Sequence, residues 1–161
     1  MMKCRILTVL LLTAVLLTAS ACSRQLRTDA PMTGFSFSHS GMHTGLIYTL
    51  SASRTENVWQ ANLSLLAGER KHILKMTEAE AEDLAAIVQY HDMNRWNGFD
   101  RIDRRAQDGT GFELIIHYDD GQVLSASGSN TFPEGYREAH EEILGFFGEL
   151  MERNGLKNPF E

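Results

Sequence analysis

From residue 35 to residue 65, hydrophobic and polar side chains alternate with a period of two. Phe35, Phe37 and His39 are interleaved with Ser36 and Ser38, and Leu46, Tyr48 and Leu50 with Ile47 and Thr49. Trp59, Ala61, Leu63 and Leu65 alternate in the same way with Val58, Gln60, Asn62 and Ser64. Successive side chains on a strand point to opposite faces, so each run buries one face and wets the other. With Gly41, Gly45 and Gly68 between the runs, the pattern predicts an antiparallel meander. Lys71 to Lys75 is read as a short fourth strand.

At Thr77 the period changes. Thr77 followed three positions later by Glu80 is a capping box, and Glu78, Glu80, Glu82 and Asp83 suit the positive end of a helix. Ala81, Leu84, Ala85 and Val88 fall on one face, with His91 closing it, and the helix is expected to end near Met93. Residues 94–111 read as a long loop. Phe112, Leu114, Ile116 and Tyr118 then alternate up to Asp119-Asp120-Gly121, a hairpin signal, and the return strand is expected over Gln122 to Ser127. Pro133 is placed at the first turn of a second helix, capped by Asn130 or Thr131. The apolar stripe of that helix is Tyr136, Ala139, Ile143, Phe146, Phe147, Leu150 and Met151. The order ββββ-α-ββ-α predicts an α+β fold, an antiparallel sheet of about five to six strands with two helices packed on it.

The first 21 residues break with this pattern. Lys3 and Arg5 precede an uncharged run from Ile6 to Ala21 that ends in Thr18-Ala19-Ser20-Ala21, a secretory signal in form and short for a bilayer span. The stretch Leu17-Thr18-Ala19-Ser20-Ala21-Cys22 resembles the lipobox of bacterial lipoproteins, although Ala19 stands where that family prefers leucine. The resemblance implies cleavage before Cys22, lipidation of its thiol and acylation of its new amino terminus. Because Ser23 is not aspartate, it also implies export to the outer membrane, facing the periplasm, in a Gram-negative cell.

Removing the signal changes the arithmetic. The full chain carries 15 Lys/Arg and 21 Asp/Glu, a formal −6; residues 22–161 keep 13 of those cations and all 21 acids, a formal −8. An acidic domain argues against nucleic acid, which needs a basic footprint. Cys4 leaves with the signal, so Cys22 is the single remaining thiol and no disulfide is expected. The expected organisation is a signal over 1–21, a lipidated tether over 22–33, one domain over 34–156 and a tail over 157–161. Such a domain can bury a sizeable core unaided.

Candidate chemistry centres on two segments. Trp96, Phe99, Asp100, Arg101, Arg104 and Arg105 lie in the long loop, which reads either as a binding lobe or as a cap in which the two aromatics plug the core. Ser127, Ser129 and Asn130 lie in the run that precedes the second helix and offer hydroxyl and amide groups. Asp100, Asp103 and Asp108 do not have the spacing of a calcium loop, and the six histidines show no zinc spacing. His39 and His43 flank a turn, and His117 and His140 read as solvent-facing. No metal or cofactor is expected. A hydrolytic alternative pairs Ser125, Ser127 or Ser129 with His117 and Asp119 or Asp120 across the hairpin.

The blocks Trp96-x-Gly98-Phe99-Asp100, Tyr118-Asp119-Asp120-Gly121 and Ala126-Ser127-Gly128-Ser129-Asn130-x-Phe132-Pro133 also resemble a recurrent domain of uncharacterised bacterial lipoproteins and exported proteins. That resemblance implies only that these loops come as a set. The sequence therefore predicts an envelope protein held to the membrane by lipid, acting as a binding or scaffolding module on a protein or small ligand, with a small envelope hydrolase as the alternative.

Overall fold

The computed structural model describes residues 26–41, 47–65, 70–105 and 109–161; Cys22 and His43 lie outside them. Strands β1 (Met32–Gly41), β2 (Tyr48–Thr55), β3 (Val58–Leu65) and β4 (Arg70–Met76) form the meander, and β6 (Thr110–Tyr118) and β7 (Val123–Ser129) form the hairpin. A further strand, β5 (Asp100–Ile102), lies within the stretch read as loop. The sheet runs β4-β3-β2-β1-β6-β7-β5, antiparallel throughout except for the β5–β7 pair. The seventh strand escapes sequence reading because its three residues are all exposed and carry no alternation.

Helices α1 (Glu78–Tyr90) and α2 (Tyr136–Arg153) cover one face. α1 begins as predicted: the Thr77 hydroxyl accepts from the Glu80 N–H at 3.2 Å, and the Glu80 carboxylate accepts from the Thr77 N–H at 2.6 Å. α2 begins later than predicted. Its N-cap is Gly135, at φ +76°, with no side-chain cap, so neither Asn130 nor Thr131 caps it and Pro133 precedes it. A short 3-10 turn, Met93–Trp96, links α1 to β5.

The inward-facing half of each strand meets the helices in a single core. Phe37, Leu50, Leu63, Leu114, Ile116 and Leu124 from the sheet, and Leu84, Ile143, Phe147 and Leu150 from the helices, are 1% exposed or less. The opposite face is open, and its rows run straight across the strands. One row is Lys71, Ser64, Thr49, Ser38, Glu113 and Ser127; the next is Ile73, Asn62, Ser51, Ser36, Ile115 and Ser125. Small hydroxyls and amides dominate there, as a solvated antiparallel face requires. Lys71 and Lys75 on β4 and Arg101 on β5 charge the two edge strands, which discourages strand addition.

The chain packs on this domain from Leu26 onward, eight residues ahead of Gly34. Leu26 and Ala30 lie against the core, the Leu26 N–H donates to the Asn94 carbonyl at 3.2 Å, and the Thr28 hydroxyl donates to Asp120 at 2.7 Å. The Asp119 N–H donates to the Pro31 carbonyl at 2.9 Å. Segment 26–31 is thereby fastened to the β6–β7 turn, at the end of the sheet where β1 begins.

Candidate functional site

The two predicted segments do come together. β5 pairs with β7 with Asp100 opposite Ser127, Arg101 opposite Gly128 and Ile102 opposite Ser129. Around that pairing, Gly98 N–H donates to the Ser125 carbonyl at 2.8 Å and Asp103 N–H to the Ser129 carbonyl at 2.9 Å. Residues 100–102 are thus a sheet edge, and the predicted residues divide between that edge, the core and the solvent.

Trp96 is 4% exposed; its indole N–H donates to the Glu134 carbonyl at 3.1 Å and its ring meets Phe112 and Tyr136. Phe99 is half-buried, 6.1 Å from the Phe112 ring. These aromatics plug the core. Arg101 lies exposed over Phe99, 5.2 Å from the ring centre, and Arg104 and Arg105 are exposed. Asn130, at φ +54°, accepts from the Thr110 N–H at 2.9 Å and so ties β6 to the segment that follows β7. The Ser127 hydroxyl donates to the exposed Asp100 carboxylate at 3.1 Å. The hydrolytic constellation is not assembled: among the described residues no hydrogen bond joins His117 to Ser125, Ser127 or Ser129. A serine bonded to an exposed carboxylate, with no imidazole between them, lacks the base and orienter of an acyl-transfer site.

Of the predicted set, Ser129 alone lines an open cleft of about 390 Å³ at the Gly41 end of β1. Its walls include Ser38, Thr49 and Glu113 from the open face, and Ile47 and Phe112 add apolar surface. His39 and Tyr48 form its inner side. Behind them stands a stack that sequence reading missed. His39 and His140 lie ring on ring, with centres 5.0 Å apart and planes 16° apart, and Tyr136 and His140 stack at 5.4 Å. His39 Nδ1 shares a hydrogen bond of 3.2 Å with the Tyr136 hydroxyl, and the Tyr48 hydroxyl is bonded to His140 Nε2.

His140 is therefore half-buried, not solvent-facing as its neighbour Glu141 suggested. It lies one helical turn from Tyr136 on the face that α2 presents to the sheet. The i, i+4 spacing of Tyr136 and His140 was the available signal, but only the strand pairing brings His39 and Tyr48 opposite them. His117, by contrast, is exposed on the open face as read, and His91 is half-buried with its Nε2 2.5 Å from Glu142.

Burial sets the electrostatics of the stack. Desolvation lowers the pKa of His39; at His140 desolvation, and then repulsion from His39, lower it to about 4. Burial pushes both Tyr48 and Tyr136 well up. At neutral pH all four rings are uncharged, and each tyrosine has a hydrogen bond to an imidazole. The stack backs the inner side of the cleft, while on the open face the Ser38 and Thr49 hydroxyls share a hydrogen bond of 3.1 Å.

A stability profile follows. The folded pKa of His140 lies below its unfolded value of about 6.5, so the unfolded chain binds more protons between the two. The contribution is complete above about pH 6.5 and is lost as pH falls toward about 4. With partial exposure discounted, the loss is about 1–2 kcal/mol. Urea unfolding at pH 7.5 and 4.5 measures it, and His140→Gln is expected to flatten the profile in that window. An unchanged slope in the variant would show that His140 does not carry it.

No protein-family model, curated protein or solved structure matches this chain.

Proposed function

We propose that this is a lipid-anchored protein of the cell envelope that works as a binding module, presenting the cleft on the end away from its anchor. The lipobox-like residues 17–22 support the anchor, and three acyl chains exceed what stable membrane attachment needs.

The observation that carries the reading is the docking of Leu26 at the start of β1. Four residue steps separate Cys22 from Leu26, a reach of at most about 14 Å. The ten residues of β1 then run about 30 Å to the cleft end. A short tether at one end and a polar cleft at the other suit a module that reaches from the outer membrane into the periplasm. The cleft's hydroxyls and its carboxylate suit a ligand with both hydrogen-bond donors and acceptors, and the neutral His–Tyr stack favours binding over proton transfer. The acidic domain gains nothing from anionic lipid, so the acyl chains do the holding.

In cells fed labelled palmitate, the wild-type chain is expected to take label and sediment with membranes, whereas Cys22→Ser takes none and is released. Equal labelling and sedimentation of the two would overturn the anchor. For the cleft, a benzophenone amino acid at Ser40 is expected to give a discrete photo-adduct that Thr49→Trp, which fills the cleft, abolishes. No adduct, or one indifferent to Thr49→Trp, would overturn the cleft as the binding seat.

A further inference from the structure

The helical layer carries a surface of its own, distinct from the cleft. α1 and α2 together hold nine carboxylates and two arginines, so they account for −7 of the −8 carried by residues 22–161. Between the helices runs an open groove of about 570 Å³. Ala86, Ile87, Gly145 and Phe146 give it an apolar strip, Tyr90, 81% exposed, stands at one end, and Glu142 and Arg153 add charged groups to its lining. Asp83 and Glu149 flank it.

Two features mark this groove as more than a wet helix face. Pairs that join the helices fix it at both ends, His91 to Glu142 at 2.5 Å and Arg153 to Glu80 at 2.6 Å, so Arg153 and Glu142 are already engaged. Gly145 is the other. It sits in the interior of α2, where glycine costs about 1 kcal/mol against alanine, yet a Cβ there would meet nothing within 4 Å. Internal packing gives no reason for a glycine, whereas an incoming chain that must approach the helix closely does.

We infer that the groove between α1 and α2 binds a basic amphipathic protein segment, whose apolar side chains lie over Gly145 and Phe146 and whose Lys or Arg side chains meet Asp83 and Glu149. Charge decides among occupants. A second copy would set −7 against −7, and an anionic membrane surface would be repelled in the same way. A cationic peptide is attracted along the whole layer and is positioned by the apolar strip. Each carboxylate at the rim adds little alone, so specificity lies in the combination of strip and rim.

The test uses the Cys22→Ser chain, which keeps the whole domain without lipid, and a helical leucine/lysine peptide with its leucines on one face. Amide shifts are expected to cluster at Ala86, Tyr90, Gly145 and Glu149. Asp83→Asn with Glu149→Gln, and separately Tyr90→Ser, are expected to weaken binding on the order of tenfold. Gly145→Ala is expected to raise the unfolding midpoint while weakening the peptide, an opposition that no folding defect produces. A matched leucine/glutamate peptide should not bind, and a lysine/serine peptide should bind at least tenfold more weakly. Equal binding of the lysine/serine peptide, shifts spread over all the carboxylates, or no binding would overturn the inference. So would concentration-dependent broadening at the groove without peptide, which would assign the groove to a second copy.

Discussion

Phe37→Ala is expected to cost about 3–5 kcal/mol of unfolding free energy, the largest effect of any single truncation near the cleft. Phe37 is 1% exposed on the central strand β1, where it faces α2. Its ring lies 5.6 Å from His140, 6.2 Å from Tyr136 and 6.5 Å from Tyr48, so it backs three of the four rings of the stack. Removing it leaves a void that the flanking strands cannot close, since β1 is paired on both sides. Urea unfolding followed by tryptophan fluorescence reads the loss. Phe37→Leu keeps most of the volume and is expected to cost under about 1.5 kcal/mol. A loss below about 1 kcal/mol for the alanine variant would show that the core relaxes around the site.

Gly128→Ala is the second large effect, at about 3 kcal/mol, the upper part of the range for overpacking. A Cβ at Gly128 would overlap the Thr131 carbonyl oxygen and come within 2.7 Å of the Phe112 ring and 3.2 Å of Phe99. One of these obstacles is backbone, which moves only if the β7 exit moves. Since Gly128 pairs with Arg101 on β5 and Phe112 on β6, the damage is expected to spread to the β5 edge and the wall of the cleft. The Tm and amide exchange of residues 99–103 measure it. Normal Tm with fast exchange in β5 would confine the damage to the edge; normal values for both would refute the close approach. Gly145→Ala, with free space around its Cβ, makes the opposite control within the same protein.

Most of the fold was legible because most of its elements are amphipathic. The serine-interleaved runs of β1 to β3 became strands with the expected faces, and the capping box at Thr77 started α1 where two reciprocal hydrogen bonds require it. β5 was not legible, because three exposed residues show no period and are held by pairing with β7. The start of α2 was misplaced for a related reason: Pro133 and Asn130 carry strong local preferences, but Asn130 is bound to Thr110 and the helix waits until Tyr136 can enter the aromatic core. Trp96 and Phe99 were readable as plugs from their size alone. The inward placement of His140 was not readable, since an imidazole beside a glutamate on a helix is equally at home in water.

By itself, then, the sequence determined the acidic balance, the two periods and the sheet-and-helix layering that they impose. Those properties are local or additive, and each can be counted along the chain. Only the tertiary structure decided which end of the sheet the segment from Leu26 packs on, that His39, Tyr48, Tyr136 and His140 form one stack, and that Asp83 and Glu149 flank a groove lined by Gly145. These are facts about residues about a hundred positions apart or on different helices, and strand order and helix packing, not periodicity, bring such residues together.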